Sequence, residues 1–326
     1  MTTESHDAAA PPLDCLIIGG GPAGLTAATY LRRFHRRVVV FDDGRSRARW
    51  IPQTHNCPGF PQGVSGNELL QRLRQQATEY GATIQTSTVS TLRRTPHGWQ
   101  ASDGTTTWSA PMVILATGVE DVLPPLRDDD CVDAIRQGWL RLCAICDGYE
   151  VTDQAIAVIG PLESALAHAC FLRAFSPRVT AIPTGEMPAT DNGRLIELSA
   201  RARDLAIPVT APLHRLCFAD GGARVQVEDG ATHPFDSVYV AMGSPGRVEL
   251  ATQAGLPLQP HGEIATDAHM GTAVSGLYAI GDVVTDLNQI SVAFGHAAIA
   301  ATAVHRALPL HPRAAHAPGP PVCGTV

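Results

Sequence analysis

The chain has 326 residues, 44% of them hydrophobic and 17% charged, with a formal net charge of -7 at pH 7. That length and apolar content suffice for a buried core and about two domains, and the acidic balance argues against nucleic acid, whose phosphates require a basic face. No apolar run approaches the roughly 18 residues of a membrane span, and the polar residues 1–7 lack the regions of a secretory leader, so a cytoplasmic location without a membrane partner is expected.

In chain order, residues 15–20 read as a buried strand, 21–35 as a helix and 38–41 as a second strand ending at Asp42, a complete βαβ opening. Arg32, Arg33, Arg36 and Arg37 form the densest basic run and read as a solvated helix end. A Gly- and Pro-rich surface segment, 44–66, leads to a helix at 67–80 whose Leu69, Leu70 and Leu73 share a face. Strands follow at 83–86, 98–101 and 112–116. A second βαβ pattern runs through a strand at 154–159, a helix at 163–175 and a strand at 178–182. The tail, 313–326, is Pro- and Ala-rich and expected to be flexible, with Cys323 an incidental thiol.

Three groups of residues carry chemistry. Gly19-Gly20-Gly21-Pro22-Ala23-Gly24 sits where strand turns into helix, as a dinucleotide fingerprint requires. Gly19 permits the tight turn, Gly21 lets backbone approach a pyrophosphate and Gly24 lets helix pack on strand. Asp42, with Asp43 as the competing choice, is spaced to accept from a ribose hydroxyl. Cys143-Ala144-Ile145-Cys146-Asp147 places two thiols at the spacing of a reversible disulfide, and Gly281-Asp282 closes the nucleotide pattern, which together point to FAD beside a redox pair. A zinc ligand pair lacks a second Cys-x-x-Cys or His pair nearby, so no metal is expected. A structural disulfide is the other alternative for the pair, and helix capping the alternative for Asp147. With eight cysteines in all, Cys15, Cys131, Cys170 and Cys217 read as small buried thiols rather than a disulfide framework.

The second nucleotide-type turn is altered. It reads Gly160-Pro161-Leu162-Glu163-Ser164-Ala165, where the Leu162 side chain crowds a pyrophosphate and Pro161 withdraws a backbone donor. Downstream, residues 182–187 supply no arginine pair for a 2′-phosphate, and Glu186 is a weak candidate for a ribose hydroxyl. NADPH or NADH binding is therefore doubtful.

On Gly19–Gly24, His55-Asn56-Cys57-Pro58-Gly59, Ala116-Thr117-Gly118, Cys143–Tyr149, Ala241-Met242-Gly243, residues 276–283 and Asn288-Gln289-Ile290, the chain resembles the low-molecular-weight thioredoxin reductase family and its relatives over nearly its whole length. The resemblance implies an α/β fold of two Rossmann-like, three-layer domains, the second inserted into the first. The FAD domain is then 1–118 with 246–312, and the insert, carrying the Cys pair, 119–245. It also implies a homodimer. Cys146 then lies nearest the flavin, Cys143 forms the mixed disulfide with the partner and Asp147 shuttles the proton. Asn56, Thr117, Gly118, Asp282, Gln289 and Ile290 join the FAD-binding set with Gly19, Gly21, Pro22, Ala23, Gly24, Asp42 and Gly281. His55 is placed near the ring system, and His296 is read as a packed or surface histidine. The family's middle glycine and arginine cluster for the nicotinamide are missing, and Tyr149-Glu150 is similar to the dithiol oxidases of gliotoxin- and holomycin-type metabolites. The leading expectation is an FAD-dependent dithiol oxidase passing electrons from a substrate dithiol, on a small molecule or a thioredoxin-like protein, to oxygen. The alternatives are a thioredoxin reductase, driven by NADPH or ferredoxin and acting on a thioredoxin-like protein, and a redox sensor.

Overall fold

The computed structural model describes residues 12–185, 193–219, 221–310 and 312, so Glu186 and Cys323 lie outside the described residues. The chain opens with β1 (Cys15–Ile18), α1 (Pro22–Arg33) and β2 (Val38–Phe41). It continues through α2 (Gly66–Glu79), β3 (Thr83–Gln85), a ribbon of β4 (Thr91–Thr95), β5 (Gly98–Ser102) and β6 (Thr107–Ala110), and β7 (Met112–Leu115). The second unit comprises α3 (Asp128–Arg136), β8 (Leu140–Arg141), α4 (Ala144–Asp147), β9 (Ile156–Gly160), α5 (Leu162–Leu172), β10 (Val179–Pro183) and α6 (Gly193–Asp204). It ends with β11 (Leu213–Ala219), β12 (Gly222–Val227), β13 (Thr232–Phe235) and β14 (Ser237–Val240). The chain then returns through α7 (Glu249–Gln253), β15 (Leu277–Ala279) and α8 (Ile290–Ala307).

Two parallel sheets organise these elements, in the orders β15-β7-β1-β2-β3 and β10-β9-β14-β8. Strands buried on both faces carry uninterrupted apolar runs, as Cys15–Ile18 and Ile156–Ile159 do. In β1, Cys15 and Ile17 face the core under α1 and α8, while Leu16 and Ile18 face Leu92, Trp99 and Ala101 of the β4-β5-β6 ribbon. The second sheet repeats the arrangement: Ile156 and Val158 pack with α5 and α6, and Ala157 and Ile159 with the β11-β12-β13 ribbon. Each unit is thus a three-layer Rossmann-like domain. Because β15 pairs with β7, the first sheet is completed only after the chain has built the second.

The two crossing segments run side by side. Val119 and Gly246 form an antiparallel bridge, Glu120 N donates to Pro245 O at 3.0 Å and Val122 N to Gly243 O at 3.0 Å. The Thr117 hydroxyl donates to Arg247 O at 2.7 Å, tying the same junction from its side chain.

Several expectations change. Helix α2 starts at Gly66 because Ser65 caps it, its hydroxyl accepting from Glu68 N at 3.2 Å. Both ribbons contain strands that the sequence reading did not find, since their alternating, half-exposed residues give short and polar patterns. Cys217 is half-buried rather than buried, because β11 is an edge strand. The basic run is not simply a solvated helix end. Arg36 is 3% exposed and donates to His305 Nδ1 at 3.0 Å, to the carbonyls of Pro309 and His305 at 3.0 and 3.1 Å, and to Leu308 O at 3.4 Å, with Asp14 at 3.7 Å. It pins the carboxyl end of α8 to the end of α1. Among the described residues, no helix is long and apolar enough to cross a membrane.

Replacing Arg36 leaves those carbonyls and Asp14 without their buried donor, a loss expected to cost about 3 kcal/mol. Urea unfolding of Arg36→Met, followed by circular dichroism, checks this: stability equal to the parent would mean that α8 is held by its apolar face alone.

Candidate functional site

The carboxyl ends of β1 and β7 meet at the first glycine turn. Gly19 has φ +119°, and a Cβ there would lie 2.0 Å from Ala116 O, while a Cβ on Gly24 would lie 1.9 Å from Gly19 O. These two glycines therefore close the turn against β7 and α1 against the turn. Gly21, the N-cap of α1, presses on no backbone; its nearest neighbour is the Ser46 side chain. Its open side faces a cavity of about 610 Å³.

That cavity gathers nearly every residue singled out from the sequence. Gly19, Gly21, Pro22 and Ala23 line it at the fingerprint, with Asp42 beyond β2. Thr117, Gly118, Gly281 and Asp282 line it too, as do Asn56, Gln289, Ile290, Cys143, Cys146 and Asp147. Gly24 is not among the lining residues, because it is packed inside the turn. Asp42 is already engaged, accepting from Gly44 N at 2.9 Å and paired with Arg74. His55 lines the cavity, whereas His296 holds the closing motif, its Nδ1 accepting from Gly281 N at 3.3 Å. Burial keeps the His296 imidazole below its ordinary pKa, in the neutral form this acceptor role needs.

Cys143 and Cys146 form a disulfide with Cα atoms 5.3 Å apart. Cys143 is the N-cap of α4, its sulfur accepting from Cys146 N at 3.1 Å, so the capping role considered for Asp147 belongs to Cys143. Gln289 Nε2 lies 3.3 Å from Cys146 Sγ and 3.6 Å from Cys143 Sγ. Both Asp147 oxygens are occupied: Arg141 Nη1 donates to Oδ2 at 2.8 Å and Tyr239 OH to Oδ1 at 2.7 Å. Burial raises the Asp147 pKa, opposed by the Arg141 charge and both hydrogen bonds. The Tyr239 hydroxyl is raised by burial and by Asp147, and stays a donor.

Arg47 and Asp121 form a half-buried bidentate pair at 2.6 and 2.8 Å near Asp282. Asp282 itself is pushed up to about 6, by burial first, with Arg47 opposing and Asp121 reinforcing. Sequence reasoning missed Arg47, Asp121, Arg74, Arg141 and Tyr239, since each belongs to a pair assembled across elements and to no local motif.

The lining fits a dinucleotide. Gly21 offers an open backbone cradle at the start of a helix. Buried polar atoms without a partner among the described residues include Ser87 Oγ, Glu150 Oε2 and Asn288 Oδ1, all on residues of this cavity. A wall with unpaired polar atoms calls for a polar ligand. The second turn contrasts with it. Pro161 is the N-cap of α5, Leu162 packs into the core below, and Glu163 Oε1 lies 3.1 Å from Arg194 Nε.

Residues 13–297 match the family described as pyridine nucleotide-disulphide oxidoreductase. The chain belongs to this family. It is 28% identical to a thioredoxin reductase of Streptomyces coelicolor over 82% of this chain and 85% of that protein. It is 31% identical to the thioredoxin reductase tcpT of Claviceps purpurea, over 83% and 86% of the two chains. Among solved structures it is similar to HlmI, with a TM-score of 0.81 at 28% identity over 90% of this chain and 92% of that one. The thioredoxin reductase of Streptococcus pyogenes superposes with a TM-score of 0.81 at 26% identity, over 90% and 97%. The chain is thus a thioredoxin reductase-like disulfide oxidoreductase of a family that uses FAD.

Asp282 gives a pH test. Its folded-state pKa, about 6, lies above the ordinary carboxyl value of 3.8, so burying its charge costs up to about 3 kcal/mol once both states are ionised. That cost is absent below the unfolded pKa, grows as pH rises from 3.8 to about 6 and is complete above that. In flavin-stripped protein, Asp282→Asn is therefore expected to be more stable than the parent at about pH 8 and equal to it at about pH 3. Denaturant unfolding at both pH values measures the difference, and a pH-independent gap would remove the carboxyl as its source.

Proposed function

We propose that this chain is an FAD-dependent dithiol oxidase that uses the Cys143–Cys146 disulfide to oxidise a substrate dithiol, with oxygen as the final acceptor. The observation that carries the reading is the N-terminus of α5, where a second dinucleotide's phosphates would sit. There Pro161 lacks an N–H, Leu162 stands in place of a glycine with its side chain packed against the core below, and Glu163 adds a carboxylate paired to Arg194. Such a turn opposes an incoming pyrophosphate. The cavity ends at the disulfide, and the large apolar side chains of Ile145 and Tyr149 beside it are 56% and 80% exposed, a surface suited to an apolar small-molecule dithiol. We take 1–118 with 246–312 as the cofactor domain and 119–245 as the insert.

The residues that would hold FAD are Gly19, Gly21, Pro22 and Ala23 around the pyrophosphate, Asp42 toward the ribose, and Thr117, Gly118, Gly281 and Asp282 along the middle, with Asn56, Gln289 and Ile290 toward the disulfide. When bound, the flavin would supply a two-electron carrier that takes the electrons of the reduced Cys pair, restoring the disulfide, and passes them to oxygen. Gly24 serves by packing the turn.

The chain's own chemistry is thiol exchange. A substrate thiolate attacks Cys143 Sγ, the S–S bond to Cys146 breaks, and Cys146 leaves as a thiolate. The second substrate thiol then attacks the mixed disulfide, releasing Cys143 and the oxidised substrate. Two electrons have moved to the Cys pair, and two protons have left the substrate. Asp147 is the proton carrier beside the pair, and to take a proton it must release Arg141 or Tyr239.

The names of the Streptomyces and Claviceps relatives favour a second reading, a thioredoxin reductase acting on a thioredoxin-like protein. Anaerobic mixing separates the two. Dithiothreitol is expected to bleach the flavin quickly and air to restore it, with NADPH inactive; rapid bleaching by NADPH would establish the reductase instead. Cys143→Ser and Cys146→Ser should each abolish turnover with FAD retained. Tyr239→Phe removes a donor to the Asp147 carboxylate, which disfavours its ionised form. The acid limb of the dithiol-turnover pH profile is then expected to move to higher pH, and an unmoved limb would take Asp147 out of the proton path.

A further inference from the structure

Gln289 does not reach the disulfide alone. Its Oε1 accepts from Asn56 Nδ2 at 3.1 Å, and Asn56 Oδ1 accepts from the Thr54 hydroxyl at 2.7 Å. Thr54 is 6% exposed, and its backbone is fixed by reciprocal hydrogen bonds with Val64 at 2.9 and 3.0 Å. Asn56 is exposed toward the cavity, where a free amide would rotate. Gln289 is the N-cap of α8 in extended backbone, so only its side chain can turn.

We infer that Thr54, Asn56 and Gln289 form a directional hydrogen-bond chain that presents an N–H donor to the redox sulfurs and holds Cys146 as a thiolate once the disulfide opens. Neutral amides permit two senses of this chain. In the sense described, every donor points toward the sulfurs and ends in Gln289 Nε2, 3.3 Å from Cys146 Sγ. In the reverse sense Asn56 would donate to Thr54, Gln289 would donate to Asn56, and the Gln289 carbonyl oxygen would face the sulfurs. A disulfide accepts weakly and sets only a mild preference, but a thiolate repels that oxygen. Reduction therefore locks the chain in the donor sense, and each link polarises the next.

The surrounding charges leave this task to the amide. Arg141, two residues before Cys143, is paired with Asp147, and Tyr239 of β14 donates to the same carboxylate. Glu150 on the same segment is acidic, His55 lies on the Asn56 loop, and His296 of α8 is turned to Gly281. Cys146 is the sulfur released when substrate attacks Cys143, so a donor on it improves the leaving group. Stabilising the reduced form also makes the disulfide more oxidising; a tenfold effect corresponds to about 30 mV for the two-electron couple. Thr54, Asn56 and Gln289 act here as positioning residues. The inference rests on the Cys pair as the redox centre and holds for either direction of electron flow.

The test uses FAD-loaded Cys143→Ser enzyme, in which Cys146 is a free thiol, with flavin content recorded for every variant. Alkylation by iodoacetamide is followed from pH 5 to 10 by mass spectrometry of the Cys146 peptide, which separates it from Cys217 and Cys323. Adding Gln289→Met is expected to slow alkylation at pH 7 about tenfold and move its midpoint to higher pH. Thr54→Val, two links away and equal in shape, should shift the midpoint in the same direction by a smaller amount, about threefold in rate, and Thr54→Ser should restore it. An unchanged midpoint in Thr54→Val overturns the chain even if Gln289→Met shifts, because Gln289 would then act alone. An unchanged midpoint in both removes Gln289 as the thiolate donor. None of these readings depends on whether oxygen or NADPH exchanges electrons with the flavin, so failure here is distinct from failure of the oxidase assignment.

Discussion

The amide of Gln289 touches two sulfurs that lie 143 and 146 positions earlier in the chain, and the site depends on that contact being made. It joins the N-terminus of α8, in the unit that forms the glycine turn, to α4, in the unit that carries the cysteines. Two features bring them together. Parallel pairing of β15 with β7 puts the Gly281-Asp282 segment beside the Gly19 turn. The antiparallel crossing at Val119 and Gly246 then sets the second unit over the carboxyl ends of the first sheet. Ligands of open α/β sheets bind at such ends, and the disulfide becomes the far wall of the cavity.

The electrostatics of the cavity follow from its burial. Arg47 with Asp121 and Arg141 with Asp147 are partly buried pairs, and Arg74 reaches from the surface to Asp42, so these charges hold the walls in shape as well as meeting a ligand. Asp282 has no such dedicated partner and bears a raised pKa in consequence. With the unpaired atoms of Ser87, Glu150 and Asn288, it gives this wall polar groups for a ligand to meet.

The second unit separates fold from function. Its α5 is needed by the core whatever the turn before it does: Ala165, Leu166, Ala169 and Leu172 are buried under β9 and β10. The turn before it carries Pro161, Leu162 and the Glu163–Arg194 pair without loss of the three-layer architecture, Leu162 packing against the same core. A Rossmann-like unit can therefore persist as a carrier of the Cys pair, which is why the activity has to be argued from the site.

Local pattern determined a good deal. Period, turn chemistry and the short motifs at Gly19–Gly24, Cys143–Cys146 and Gly281-Asp282 gave the parallel strands, the nucleotide turn and the redox pair, because each is encoded by neighbours in sequence. The ribbons β4-β5-β6 and β11-β12-β13 were hidden by their short, half-exposed strands. Arg36 looked like a surface charge because its partners are His305 near the end of α8 and the residues just after it, about 270 positions away and beyond any local signal. The same holds for Arg141 with Tyr239 around Asp147, and for Thr54 behind Asn56 and Gln289. The sequence singled out the Cys pair and the glycine turn; only the tertiary structure decided which neutral and charged groups surround them, because hydrogen bonds and ion pairs are set by distance in space.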